Sequence, residues 1–217
     1  ILFDEQEIER DYHWATDSFR APGIEFKIFS PFFEIPDPST SSEKDLKEAS
    51  CPATFIELSI KNNSDENWEV FFGIQGGRQG ITPWVPLSNR GSLKGQISHN
   101  EIGFATDDND AEEFNDFGIE EALSRYHKTP KFLLGPIGGI SFKVGPGSEK
   151  KLRLVIGYYR SKQITVNRDA KYWYTQYFNS IDCVLNYALD NFEDYKSISA
   201  EADNKLLASG LSTDQQF

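Results

Sequence analysis

The sequence contains no methionine among its 217 residues, not even at position 1. We therefore expect the chain to be a piece of a longer protein. Nothing at its start is typical of a signal peptide, because three apolar residues are followed at once by Asp4 and Glu5. No apolar run approaches the roughly 20 residues of a membrane span. These absences predict a cytoplasmic location and no membrane partner.

Basic residues and metal ligands are also scarce, and each shortage argues against a class of function. Lys and Arg number 22 against 34 Asp and Glu, a net charge of −12, whereas nucleic acids are held mainly by Lys and Arg. The three histidines, His13, His99 and His127, are scattered without the spacing of zinc ligands. The glycines of 73–80 match neither the dinucleotide fingerprint nor the phosphate loop. We predict no nucleic-acid partner, no metal and no cofactor.

The acidic run at 107–113 is the one segment that suggests calcium. If Asp108 were the first ligand of a calcium loop, Glu113 would replace the glycine required at the sixth position and Ile119 the glutamate at the twelfth. The run is therefore interpreted as a solvated loop.

The two cysteines, Cys51 and Cys183, lie far apart and are flanked by apolar residues. One disulfide between them is an open alternative. Two buried thiols are favoured, because free cysteine is among the most buried residue types.

The first two thirds of the chain show the alternation of β-strands. Apolar residues recur at every second position in 24–28, 56–60 and 152–158. The segment from Glu7 to Phe19 predicts an edge strand, and 68–74 is predicted to return from 56–60 as a hairpin through a turn at 62–65. Strands at this spacing, joined by Gly and Pro turns, favour a mainly β fold with an antiparallel β-sandwich over residues 1–170.

Helical patterns interrupt this order once and then replace it. Thr40 and Glu43 have capping-box spacing, which predicts a short connector helix to about Ala49. Apolar residues at helical spacing follow in 177–192 and again in 198–207. Ser212 with Gln215 has the spacing of another capping box. We predict that residues 171–217 form linker helices leading into a further helical domain.

The long stretch from Gly76 to Gly95 has no clean period and is predicted to be a loop, where binding groups often lie. It carries Arg78, Gln79, Trp84 and Arg90. An aromatic face can pack on a sugar ring while Arg and Gln bond its hydroxyls, so these four are the candidate substrate-binding residues. The alternative is that Trp84 packs against the sandwich and the arginines are surface charges. No catalytic pair stands out among the 34 acidic residues.

Several segments resemble glycoside hydrolase family 52, the β-xylosidases, in the same order and with similar spacing. They are Gln6 to Asp17, Phe29-Ser30-Pro31, Ile35 to Pro38, Cys51-Pro52-Ala53, Tyr158-Tyr159-Arg160, Tyr174 to Tyr187 and Leu211 to Phe217.

The resemblance implies an N-terminal β-sandwich of the super-sandwich type, linker helices and a catalytic barrel of α-hairpins. It also implies a retaining enzyme that removes xylose from β-1,4-xylo-oligosaccharides, with a Glu nucleophile and an Asp acid in the barrel, beyond Phe217. No catalytic residue is then expected in this chain, which would pack against its own barrel, with a homodimer left open. The alternative is a carbohydrate-binding or structural domain of a related glycosidase with another specificity, such as a β-glucosidase.

Overall fold

The computed structural model describes residues 3–76, 84–118, 135–161, 164, 170–212 and 215. In these ranges the strands are β1 Glu9–Tyr12, β2 Thr16–Ala21, β3 Ile24–Phe29, β4 Ala53–Lys61, β5 Trp68–Gln75, β6 Trp84–Pro86, β7 Lys94–Ser98, β8 Ile102–Thr106, β9 Glu112–Asp116, β10 Ile137–Val144 and β11 Glu149–Tyr158. The α-helices are α1 Glu43–Ala49, α2 Ile181–Asp190 and α3 Phe192–Leu207. Short 3₁₀ helices span Glu5–Glu7, Leu87–Asn89 and Trp173–Gln176.

The strands form two antiparallel sheets. The larger sheet has the order β1-β2-β3-β4-β11-β8-β7-β6, and the smaller has the order β5-β10-β9. The two sheets face each other, and α2 and α3 follow them along the chain. The predicted antiparallel β-sandwich followed by helices is confirmed.

The larger sheet is a middle layer with a core on each face. Strand β4 shows how one sequence supplies both, because successive side chains point to opposite faces. Ile56, Leu58 and Ile60 face the smaller sheet, where they join Phe104 and Phe142. On the opposite face Phe55 packs under α2 and α3, and Glu57 is also buried there. The alternating pattern of β4 therefore does not mark a solvent-exposed face, because the face that carries Glu57 is covered by helices.

The C-terminal helices are held by apolar side chains at i, i+3 and i+4 spacing. In α2 these are Ile181, Leu185, Ala188 and Leu189, all at most 3% exposed. Ser180 caps this helix, its side chain accepting from the Cys183 backbone N–H at 3.2 Å. The predicted stripe is correct, but it is divided between α2 and α3, which meet at Asn191.

Two local predictions are wrong in detail. The cap of α1 is Ser42, which accepts from the Asp45 backbone N–H at 3.2 Å, so the Thr40–Glu43 capping box does not form. The segment from Glu7 to Phe19 supplies two strands, β1 and β2, rather than one. In both cases the element exists and its boundaries differ.

The hairpin predicted from β4 and β5 is also wrong. Strand β4 pairs with β3 and β11, whereas β5 pairs with β10 in the other sheet. Asn62 explains the change of sheet. Its buried side-chain amide donates to the carbonyls of Glu66 at 2.7 Å and of Val144 and Gly145 at 3.0 Å. These bonds tie the connection to the end of β10 and carry the chain across to the smaller sheet.

Close packing between the sheets depends on glycine in β10. A Cβ built on Gly138 would lie 2.6 Å from two ring carbons of Trp84, and one on Gly139 would lie 2.3 Å from the Phe114 ring. Neither contact leaves room for a methyl group.

We predict that Gly138→Ala lowers the free energy of unfolding by about 1–3 kcal/mol, because overpacking a filled core forces side chains from their preferred positions. Urea unfolding followed by tryptophan fluorescence measures the change. The control is Gly91→Ala, where an added Cβ meets nothing within 4 Å and the stability should not change. Equal midpoints for the two variants would show that the interface between the sheets is not close-packed.

Candidate functional site

The four predicted substrate-binding residues do not all fall within the part of the chain that the structure describes. Arg78 and Gln79 lie outside it. Trp84 begins β6 and is 4% exposed. Its ring lies 5.6 Å from that of Phe104, and its indole N–H donates to the Pro136 carbonyl at 3.0 Å. Trp84 therefore packs between the sheets, as in the alternative interpretation of this residue, and sugar binding by this set stays a prediction.

Arg90 is placed at the surface, where it joins two elements. Its guanidinium contacts the Asp182 carboxylate at 3.1 Å and the Asn100 side-chain oxygen at 2.7 Å. Asn100 and His99 form the turn between β7 and β8, both with positive φ. Asp182 lies in the first turn of α2. Arg90 thus fixes a hairpin turn to the start of a helix, which accounts for its position without a ligand.

An exposed aromatic pair, which the sequence did not single out, lies elsewhere on the molecule. The rings of Trp14 and Phe32 stack with centroids 4.1 Å apart and an interplanar angle of 20°. Trp14 is 50% exposed and Phe32 44% exposed. We call this pair the aromatic ridge. Trp14 lies at the turn between β1 and β2, and Phe32 follows β3.

Two apolar grooves flank the ridge, each enclosing about 400 Å³. The first groove is lined by Pro31, Phe32, Phe33, Ile35, Pro36, Pro38, Leu46, Ala49, Ser50 and Trp173. The second is lined by Trp14, Phe32, Phe33, Glu34, Ile198, Glu201, Ala202, Lys205, Leu206 and Ser209. Phe32 and Phe33 belong to both, so the ridge and grooves form one continuous surface. This surface is the candidate functional site.

A buried carboxylate positions the ridge. Asp203, on α3, is 7% exposed. One of its oxygens accepts from the Ala15 backbone N–H at 2.7 Å, and the other accepts from the Thr16 hydroxyl at 2.7 Å. The Ala15 carbonyl in turn accepts from the Ser30 N–H at 2.8 Å. The turn that carries Trp14 is therefore fixed both to α3 and to the segment that carries Phe32.

A second buried carboxylate, Glu57, fixes the same helix to the larger sheet. Its oxygens accept from the Lys196 ammonium at 2.6 Å and pair with Lys151 at 3.1 Å. Burial alone would raise the pKa of Glu57, but the hydrogen bonds from Lys196 and Lys151 outweigh it, so the pKa lies below its ordinary value. A general acid needs the opposite shift, so Glu57 is a structural anion.

The two cysteines are free thiols in different surroundings. Burial raises the pKa of the Cys51 thiol to about 12, against the opposing effects of Tyr195 and Lys47, so it remains protonated and unreactive near neutral pH. Cys183 is exposed, so its predicted burial is wrong. In its place Ile181, Val184 and Leu185 face the sheet, which leaves position 183 on the outer side of α2.

The residues placed by the structure hold no cluster of three or more His, Cys, Asp or Glu side chains that could bind a metal ion. Among these residues no helix is long and apolar enough to cross a bilayer.

The chain folds as an antiparallel β-sandwich covered by helices, with an exposed aromatic pair on its surface. The family is established by comparison, since the model for Glycosyl hydrolase family 52 matches residues 1–217. The chain belongs to this family.

Two proteins similar to this chain are named beta-xylosidase, and both come from Geobacillus stearothermophilus. One is 30% identical over 227 residues, covering 100% of this chain and 31% of the relative. The other is 29% identical over 230 residues, covering 100% of this chain and 35% of the relative. The chain thus spans about a third of the length of these relatives.

We predict that Asp203→Ala lowers the free energy of unfolding by about 1–3 kcal/mol, since the buried Ala15 N–H loses its acceptor. Urea unfolding measures the loss. The matched control is Asn204→Ala, an exposed neighbour on α3, which should leave the stability unchanged. If both variants unfold at the same urea concentration, the carboxylate does not hold the turn.

Acid should remove the stabilisation supplied by Glu57. Because its folded-state pKa is lowered, that contribution is complete above the ordinary value of 4.5 and is lost as the pH falls through the folded value. We expect Glu57→Gln to cost on the order of 2 kcal/mol at pH 7 and to flatten the fall in urea midpoint below about pH 5.

The control for Glu57 is Glu149→Gln, whose pair with Lys61 is 68% and 61% exposed. An exposed pair contributes at most about 1 kcal/mol, so this variant should follow the wild type at every pH. An unchanged pH profile in Glu57→Gln would show that the buried pair does not carry the acid sensitivity.

Proposed function

We propose that this chain is the N-terminal, non-catalytic β-sandwich region of a retaining glycoside hydrolase that removes xylose from β-1,4-xylo-oligosaccharides. The observation that carries the proposal is the family match over residues 1–217, combined with relatives about three times as long. In this proposal residues 1–170 are the sandwich domain, and 171–217 are linker helices that lead into a catalytic barrel of α-hairpins after residue 217.

The electrostatics of the chain support a non-catalytic role. A retaining glycosidase needs two carboxyl groups about 5–5.5 Å apart, one with a raised pKa so that it can act as an acid. Within the part of the chain that the structure describes, Asp37 and Glu57 have displaced pKa values, and both are shifted down. Hydrogen bonds from Ser39 lower the pKa of Asp37, and the two lysines lower that of Glu57. Both shifts stabilise the anion, which cannot donate a proton to a leaving group.

The sandwich then contributes to the enzyme by contact. Its cores are already filled from within, by the smaller sheet on one face of the larger sheet and by α2 and α3 on the other. The aromatic ridge and its grooves remain as an apolar surface for the rest of the protein. Packing at this surface would hold the catalytic domain in place and shape its surroundings.

The proposal predicts a division of activity between the chain and the full product of the same gene. We expect the full-length protein to hydrolyse p-nitrophenyl β-xyloside with retention of configuration. NMR identifies the anomer of xylose that is formed first. The chain 1–217 alone should show no hydrolysis above buffer. Hydrolysis by 1–217 itself would refute a non-catalytic role. Faster hydrolysis of the β-glucoside by the full-length protein would instead favour the β-glucosidase alternative.

A further inference from the structure

We infer that the aromatic ridge, with the two grooves beside it, is the surface on which the catalytic part of the same polypeptide docks. This inference rests on the proposed function, which places that catalytic part after residue 217. It adds the residues that make the contact, Trp14 and Phe32 at the centre and Ile35 and Trp173 at the edge of the first groove.

The first argument is the concentration of apolar surface. Single exposed hydrophobic side chains are ordinary, but a contiguous patch marks an interaction site. Trp14 and Phe32 are half exposed, Trp173 is 47% exposed and Ile35 is 91% exposed, and all four line the grooves or the ridge between them. Aromatic residues in such a patch are the side chains that most often dominate the binding energy of an interface.

The second argument is that the ridge is fixed in advance. The buried carboxylate of Asp203 accepts hydrogen bonds from the turn that carries Trp14. In that turn the Ala15 carbonyl accepts from the Ser30 N–H, next to the segment that carries Phe32. A pre-ordered surface loses less conformational entropy on binding. Hydrogen bonds from two parts of the fold therefore hold in place two stacked apolar rings, each still about half exposed, and that exposed area is buried only when a partner covers it.

The lining of the first groove disfavours a sugar as the occupant. Sugar recognition needs several converging donors and acceptors for the hydroxyl groups. In the first groove Ser50 is the polar residue among ten that line it, the others being aliphatic, aromatic or proline. In the second groove the polar residues Glu34, Glu201, Lys205 and Ser209 lie beside Ile198, Ala202 and Leu206. Phe32 and Phe33, which line both grooves, are apolar and suit protein side chains.

The position of α3 favours the same polypeptide over a second copy. Leu206, in the last turn of α3, and Ser209, just after it, line the second groove. The chain therefore leaves α3 beside this surface, ahead of the residues that follow 217 in the proposed parent. A tethered partner binds at an effective concentration of the order of millimolar, which a separate chain does not reach. The relatives exceed this chain by about two thirds of their length, which is ample to cover the surface.

The test is hydroxyl-radical footprinting of the full-length protein without mutation. Each labelling rate is divided by the rate of the same residue in the denatured protein. Tyr158, 48% exposed and in the lining of neither groove, is the internal reference for Trp14, 50% exposed. We expect Trp14 and Phe32 to be labelled at least about fivefold more slowly than the reference, since an interface centre excludes water.

Each outcome decides the inference. Protection in a dilute, active monomer without sugar supports it. Labelling of Trp14 at the reference rate in a protein that hydrolyses the xyloside overturns the inference and leaves the proposed function intact. A protein without glycosidase activity overturns the proposed function instead. Protection that disappears on dilution assigns the surface to a second copy, and protection that appears only with xylobiose assigns it to a sugar; either overturns the inference.

A variant gives a second, independent readout. In the full-length protein Trp14→Ser should lower the melting temperature and separate the unfolding of the sandwich from that of the catalytic part in calorimetry, because the contact between them is weakened. Tyr158→Ser is the matched control and should keep one combined transition. A single combined transition in both variants would contradict the inference.

Discussion

The burial of the larger sheet on both faces is the constraint on which the rest of this structure depends. One face meets the smaller sheet through Ile56, Phe104 and Leu154, and the other meets α2 and α3 through Phe55, Ala105 and Val155. Without the helices, the apolar residues of the second face would lie in water. The C-terminal helices are therefore part of the core of the sandwich, whatever else they connect to.

Buried charges direct how the helices lie on that sheet. Glu57 joins β4 to α3 through Lys196, and Asp203 joins α3 to the β1–β2 turn. Apolar packing is non-directional and would tolerate a helix that slides along the sheet. Hydrogen bonds to buried carboxylates need fixed distances and angles, so they select one position. That position brings Trp14 against Phe32 and creates the ridge between the two grooves.

Under the proposed function, such a surface would give a non-catalytic region of a glycoside hydrolase a definite role. The sandwich does not need an acid–base pair if it supplies a fixed platform, and its anionic residues are then free for structural pairing, as in Glu57. The ridge is apolar although the chain has a net charge of −12, and the charged residues of the groove beside it are Glu34, Glu201 and Lys205.

Local patterns of the sequence identified some of the elements. Alternation gave β3, β4 and β11, helical spacing gave α2 and α3, and the quoted segments gave the family, because each of these signals is contained in a few consecutive residues. Pairing was not determined in this way. Strand β5 follows β4 closely, yet it joins β10 about 70 positions away, since Asn62 bonds to carbonyls at the end of that strand.

The candidate surface was equally beyond the sequence. Trp14 and Phe32 are separated by two strands, and Asp203 acts on Ala15 across 188 positions, so no local period or motif records their meeting. Trp84 shows the converse case, since its residue type suited a sugar platform and its neighbours Gly138 and Phe104 decided that it packs inside. The sequence alone thus specified part of the strands and helices and the family. Strands β6 and β9 begin within Gly76 to Gly95 and 107–113, stretches whose patterns predict loops, so these two predictions are wrong in part. Which side chains meet, and which remain exposed, was decided by tertiary packing, because contacts between distant residues depend on how whole layers are stacked.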